Sequence, residues 1–122
     1  MRATLQRIDR GDIVILKITG RMTIDTAGDD ELLRGDIEGA LKQGRKLFVI
    51  DGADVAYADS AGLGEMVRSY TRIVRDGGRL VFAVPESHHL RSRFRLTKLD
   101  RELQLYTTVD EAIQALVAVP NG

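Results

Sequence analysis

Cysteine and tryptophan are both missing from this 122-residue chain, and proline occurs only twice. Without cysteine there is no disulfide framework, no thiol nucleophile and no thiolate zinc site, so a reducing cytoplasm is a more natural setting than a secreted one. Long apolar runs are also missing. No window approaches the roughly 18 apolar residues that a membrane-spanning helix needs, and the opening Met1-Arg2-Ala3-Thr4-Leu5-Gln6-Arg7 has no apolar stretch of the kind a secretory leader carries. Charge of one sign is not in excess, since 18 basic residues balance 18 acidic ones. Nothing global therefore draws the chain to nucleic acid or to an anionic bilayer, and binding must come from a local surface. A glycine-rich phosphate loop of Walker or dinucleotide type is absent too, which removes the machinery of a nucleotide hydrolase and leaves no cofactor expected.

What is present fits one compact domain over residues 4–118, with a short flexible tail at 119–122. From Ile13 onward, β-branched apolar runs alternate with helical patterns, the signature of a parallel sheet covered by helices. Strands are predicted at Ile13–Ile18, Leu47–Ile50, Leu80–Val84 and Leu103–Tyr106, apolar on both faces as buried parallel strands are. Residues Ala3 to Ile8, followed by Arg10-Gly11-Asp12, predict an antiparallel edge strand turning back through a hairpin. The fold class is thus α/β, a small mixed sheet with about four helices.

The first helix has Asp29, Asp30 and Glu31 in its first turn, buries Leu33, Ile37, Ala40 and Leu41, and stops at Gly44. In the second, Leu63, Met66, Val67, Tyr70, Ile73 and Val74 form the inner stripe, Glu65, Arg68, Arg72 and Arg75 point outward, and Gly77-Gly78 ends it. A third spans Glu86 to about Thr97. The fourth opens on the capping box Thr108-Val109-Asp110-Glu111 and buries Val109, Ala112, Ile113, Leu116 and Val117. The longest stretch without a regular pattern is Asp51 to Asp59.

In open α/β sheets, function gathers at the carboxyl ends of the parallel strands, and Asp59-Ser60-Ala61-Gly62-Leu63-Gly64 stands at such an end. Ser60 falls at or just before a helix start, with glycines that permit a tight turn and close approach by another chain. Its hydroxyl has two uses, as an N-cap accepting backbone N–H groups or as a phosphoacceptor held out for a partner. On pattern alone the cap is the commoner. A hydrolase nucleophile is disfavoured, because Ala58-Asp59-Ser60-Ala61-Gly62 is not a Gly-x-Ser-x-Gly elbow and no histidine base is placed.

The segment Asp54-Val55-Ala56-Tyr57-Ala58-Asp59-Ser60-Ala61-Gly62-Leu63-Gly64 resembles the signature of STAS domains, particularly of bacterial anti-sigma factor antagonists. Ile18-Thr19-Gly20-Arg21, Gly77-Gly78-Arg79-Leu80 and Leu96-Thr97-Lys98-Leu99 support the likeness, which covers residues 4 to 118. The resemblance implies a non-enzymatic, cytoplasmic phosphoprotein that switches partners and so regulates sigma-factor-dependent transcription. The unmodified form binds an anti-sigma factor that is itself a serine kinase; phosphorylation of Ser60 releases that partner, and a PP2C-type, metal-dependent phosphatase reverses the modification. Direct binding to nucleic acid or membrane is not implied. Partner contacts fall on Thr23, Asp25, Asp59, Ser60, Ala61 and Gly62, with Arg68 as an extension of the same surface.

Two positions depart from the family pattern. Ala61 stands where a second serine or threonine is often found, and Thr23 stands where many antagonists carry an aspartate that contacts the kinase. The alternative within the family is an accessory STAS subunit of a stressosome-like or lipid-transport assembly. Two further features read as ordinary surface. His88 and His89 are adjacent, so on a helix they diverge instead of converging on a metal. Arg91, Arg93, Arg95 and Lys98 form a solvated face or a docking surface for an acidic protein.

Overall fold

The computed structural model describes residues 3–23 and 32–118. Asp25, the acidic turn Asp29 to Glu31 and the tail 119–122 lie outside these residues. The elements in chain order are β1 (Thr4–Arg10), β2 (Ile13–Met22), α1 (Arg34–Lys42), β3 (Leu47–Ala58), α2 (Ser60–Arg75), β4 (Arg79–Ala83), α3 (His89–Leu96), a 3-10 turn (Leu99–Arg101), β5 (Gln104–Tyr106) and α4 (Val109–Val117). The sheet order is β1-β2-β3-β4-β5. β1 pairs antiparallel with β2, and every other neighbouring pair is parallel. This is the mixed α/β class expected from the alternation of apolar runs. No helix among the described residues is long and apolar enough to cross a membrane.

The period of two along each strand divides the apolar residues between two cores. Even-numbered Val14, Leu16, Ile18, Phe48, Ile50, Leu80 and Phe82 enter one core, which α1, α2 and α3 cover with residues such as Ile37, Met66, Ile73 and Phe94. Odd-numbered Ile13, Ile15, Val49, Val81 and Ala83 enter the other, which α4 closes with Ala112 and Leu116. Helices on both faces explain why these strands are apolar throughout.

β1 runs two residues past its expected end, to Arg10, and two other strands run further still. β2 continues to Met22, and β3 continues through the whole of Asp51 to Ala58, which the residue types mark as irregular. Asp and Gly are poor strand formers, but pairing overrides propensity here. Thr19, Gly20, Arg21 and Met22 pair with Asp54, Val55, Tyr57 and Ala58, with register shifts after Lys17 and Gly20, and Lys17 Nζ lies 3.4 Å from Asp54 Oδ2. β4 ends level with Asp51, so the second half of β3 projects beyond β4.

The helices differ from expectation in how they are rolled. Successive residues turn by about 100°, and the buried residues of α2 are Gly62, Leu63, Glu65, Met66, Ser69 and Ile73. Val74 is 46% exposed, whereas Glu65 is only 4% exposed. The inner stripe is thus rotated toward Glu65 and Ser69, because α2 packs sideways against α1 as well as down onto the sheet. Val117 of α4, expected inside, is 66% exposed. α3 starts at His89, after a turn at Pro85 to His88, and not at Glu86. The cap of α4 is the predicted Thr108, whose Oγ1 accepts from the Glu111 amide at 3.1 Å, while Glu111 Oε1 reaches back one residue beyond the cap to accept from the Thr107 amide at 3.0 Å. At the end of α2, Gly77 takes φ of +84° and the Gly78 amide donates to the Ile73 carbonyl at 2.8 Å, closing the helix as the sequence predicts.

Glu65 explains its own burial. Leu33, at the start of α1, has no side-chain cap of its own, and its amide donates to Glu65 Oε2 at 2.9 Å. The second helix therefore caps the first. Glu65→Ala should destabilise the protein by about 1–3 kcal/mol, since it leaves a buried N–H without an acceptor. Glu65→Gln retains an acceptor and should lose clearly less; equal losses for the two variants in urea denaturation would refute the capping role.

Candidate functional site

β2 and β3 end together, with Met22 paired to Ala58, and the chain passes directly into α2. At this junction the Asp59 amide donates to the Met22 carbonyl at 3.1 Å, and the Leu63 amide donates to the Asp59 carbonyl at 2.9 Å. Asp59 is extended, with φ −89° and ψ −171°, and its Oδ1 accepts from the Gly62 amide at 3.0 Å. Asp59, not Ser60, is the N-cap. Ser60 is the first helical residue and is exposed. Of the two uses its hydroxyl could have, capping is already performed by its neighbour. The positive end of the helix dipole lies directly behind it, an arrangement that tolerates an added anion.

Gly62 has an intramolecular reason to be glycine. A Cβ there would lie 2.4 Å from the Met22 carbonyl oxygen and 2.8 Å from Met22 Cβ, so the helix start can rest on the end of β2 only without a side chain. Gly62 is buried against its own chain, while Ala61 is half-buried. Thr23 follows Met22 and is half-buried. Thr23, Asp59, Ser60, Ala61 and Gly62 thus gather at one end of the sheet. Arg68 is exposed further along α2, about 12 Å from Ser60 at 1.5 Å per residue.

One component of this end of the molecule leaves no local signal in the sequence. Tyr57 of β3 stacks with two guanidinium groups, Arg21 of β2 at 4.9 Å and Arg93 of α3 at 5.4 Å from the ring centroid. Such contacts are worth about 0.5–1 kcal/mol each at partly exposed sites, and they tie α3 to the projecting ends of β2 and β3. The basic stretch is consequently divided. Arg93 and Arg91 are half-buried, and Arg91 Nε donates to the Val84 carbonyl at 2.9 Å, whereas Arg95 and Lys98 face solvent.

His88 and His89 do not converge. His88 caps α3, its Nδ1 accepting from the Leu90 amide at 3.1 Å, and the two rings stack with centroids 4.2 Å apart. Among the described residues there is no cluster of three metal-ligating side chains. Burial, followed by His88 and Arg93, holds the pKa of His89 below its ordinary 6.5. The unfolded chain therefore takes up this proton first as pH falls through about 6.5. Wild type should lose stability on acidification from neutral pH, and His89→Gln should lose less; parallel thermal melting curves for the two proteins would contradict this.

The glycines offer a sharper test of the junction. Gly62→Ala should cost about 3 kcal/mol, near the upper end for overpacking, because backbone and not a movable side-chain end stands in the way. In Gly64→Ala the new Cβ would meet, among the described residues, only Arg68 Nη1, at 3.3 Å. That variant should be neutral or gain up to about 1 kcal/mol of helix propensity. Chemical denaturation of both variants checks the pair, and similar losses would mean that the approach of Met22 is not the constraint.

A family model described as the STAS domain matches residues 4–112, and the chain belongs to that family. Its fold is shared with an anti-sigma factor antagonist from Mycobacterium paratuberculosis, at 24% identity over 93% of this chain and 92% of that one, with a TM-score of 0.77. A putative anti-sigma factor antagonist from Thermotoga maritima is 26% identical over 91% and 92% of the two chains, with a TM-score of 0.74. The anti-sigma factor antagonist SpoIIAA in its unphosphorylated form is 18% identical over 95% and 100%, with a TM-score of 0.69. Among curated proteins none matches the chain in sequence.

Proposed function

We propose that this protein is an anti-sigma factor antagonist working in the cytoplasm, which binds an anti-sigma factor through the surface around Ser60 and releases it when Ser60 is phosphorylated. The partner is a serine kinase that modifies Ser60, and a PP2C-type phosphatase restores the binding form. The observation that carries this reading is the division of roles at the start of α2, where Asp59 makes the cap and Ser60 stands exposed beside it. Thr23, Asp59 and Ala61 border the serine and form the centre of the contact; Asp25, two positions on in the sequence, is the carboxylate available to replace the aspartate that the family carries at position 23.

A phosphate adds a charge of about −1.5 to −2 and three acceptor oxygens. The helix N-terminus offsets part of the repulsion from Asp59, so the fold tolerates the modification. A closely packed interface does not, because burying a dianion without matching cations is opposed by several kcal/mol of desolvation. Each 1.4 kcal/mol or so weakens binding tenfold.

The test is capture from the source cell with wild type, Ser60→Ala and Ser60→Asp as baits, with mass spectrometry of the captured proteins and of Ser60. Wild type and Ser60→Ala should retain an anti-sigma kinase that Ser60→Asp retains at least about tenfold less well. Recovery of scaffold or transporter subunits, indifferent to residue 60, would overturn the proposal in favour of an accessory subunit.

A further inference from the structure

Although the chain as a whole is electrically neutral, α2 is not. Its only acidic residue, Glu65, is buried and accepts from the Leu33 amide, whereas Arg68, Arg72 and Arg75 are exposed. At about 100° per residue, Ser60, Gly64, Val67, Arg68, Thr71 and Arg75 share one side of the helix. Arg72 stands at the edge of that side and donates to Glu38 of α1 at 2.9 Å, a carboxylate it shares with Arg34 at 3.1 Å. Among the described residues Arg68 and Arg75 take part in no ion pair. A groove of about 360 Å³ runs between Val67, Arg68, Thr71, Arg72, Arg75 and Asp76. A smaller recess of about 90 Å³ continues it toward Arg34, with the buried Glu65 and Ser69 in its lining.

Arg75 and Arg72, in the last turn, also complement the negative end of the helix dipole. Arg68 is mid-helix and has no such explanation. Its Nη1 leans back over Gly64, 3.3 Å from where a side chain would begin there, so no side chain separates its guanidinium from the turn that carries Ser60.

We propose that this side of α2 is the docking surface for an acidic segment of the protein partner, whose carboxylates are held by Arg68, Arg72 and Arg75, and that a phosphate on Ser60 competes with that segment for Arg68. This deepens the partner-switching reading and rests on it. The chemistry follows from the groove. Guanidinium groups pair with carboxylates in bidentate fashion, and the half-buried Val67 provides an apolar floor. A phosphate at residue 60 lies on the same helical side, about 12 Å or one and a half Debye lengths from Arg68 at physiological salt, whereas Arg75, about 22 Å along the helix, is nearly three lengths away and largely screened from it. It therefore repels an incoming acidic segment and withdraws one of the cations that would receive it. An exposed arrangement of this kind is screened by salt, which gives it a recognisable signature.

The probe is a fluorescein-labelled glutamate-rich peptide, with a lysine-rich peptide of equal length beside it, titrated against the full chain and followed by anisotropy at low and at physiological ionic strength. Wild type should bind the glutamate-rich peptide in a salt-sensitive manner and leave the lysine-rich one alone. Arg68→Gln with Arg75→Gln should weaken binding at least about tenfold, while the control pair Arg10→Gln with Arg101→Gln, exposed elsewhere, should leave it unchanged. Phosphoserine at position 60 should weaken binding in wild type and do so less in an Arg68→Gln background. Equal binding by wild type and the α2 double variant, or preference for the lysine-rich peptide, overturns the docking surface. An equal effect of phosphoserine in both backgrounds overturns the competition for Arg68. Failure of the partner-switching reading is distinct, since it appears as cellular capture indifferent to residue 60 whatever the peptide does.

Discussion

The close seating of the first turn of α2 on the end of β2 is the constraint from which the rest of the site follows. It has two parts, the hydrogen bond from the Asp59 amide to the Met22 carbonyl and the absence of a side chain at Gly62. The bond fixes where the strand stops and the helix starts. The bare glycine lets the helix axis approach the strand to backbone contact. Together they determine that Asp59 is extended and can cap, and therefore that the next residue is the first of the helix, facing solvent.

That seam would be weak at the tip of an unsupported projection, because the second half of β3 runs on beyond β4. β2 accompanies it to its end on one side, through two shifts of register, and the stacking of Arg21 and Arg93 on Tyr57 joins both strands to α3. α2 is held from the other direction by the Glu65 bond to the amide that opens α1. The serine is thus presented by a helix anchored at its start by a strand and along its flank by another helix. Positional precision of this kind is what a protein-binding surface on rigid elements requires.

Much of this was legible in the residues. β-branched runs at Ile13, Leu47 and Leu80 mark the buried strands, and the apolar periodicity around Met66 and Ile73 marks α2, because burial on both sheet faces and on one helix face leaves direct traces in residue type. Asp51 to Ala58 was not legible as strand, since its Asp and Gly residues carry the local preference of a loop and its pairing with β2 is a long-range property. Glu65 misled for a related reason: a carboxylate at that angle reads as outward unless the unsatisfied amide of Leu33 is known to lie opposite. Pattern alone favours Ser60 as the cap, whereas the structure gives that place to the adjacent and equally competent Asp59. The choice is settled by the Met22 carbonyl, 37 positions earlier in the chain. The stacking around Tyr57 had no local signal, because its three members come from three elements. His88 as a cap was equally hidden, histidine being an uncommon choice for that position.

The arrangement at Asp59 and Ser60 also bears on how often such a site can be used. Had the serine held the helix start itself, every modification would have undone a cap and every reversal would have had to rebuild it, coupling each regulatory event to local unfolding and to whatever proteases survey frayed termini. With the aspartate in that position, the residue that the proposed switch would write on and erase is mechanically idle. Under that proposal the chain passes through many cycles as one unchanged scaffold, and a change of partner needs no refolding.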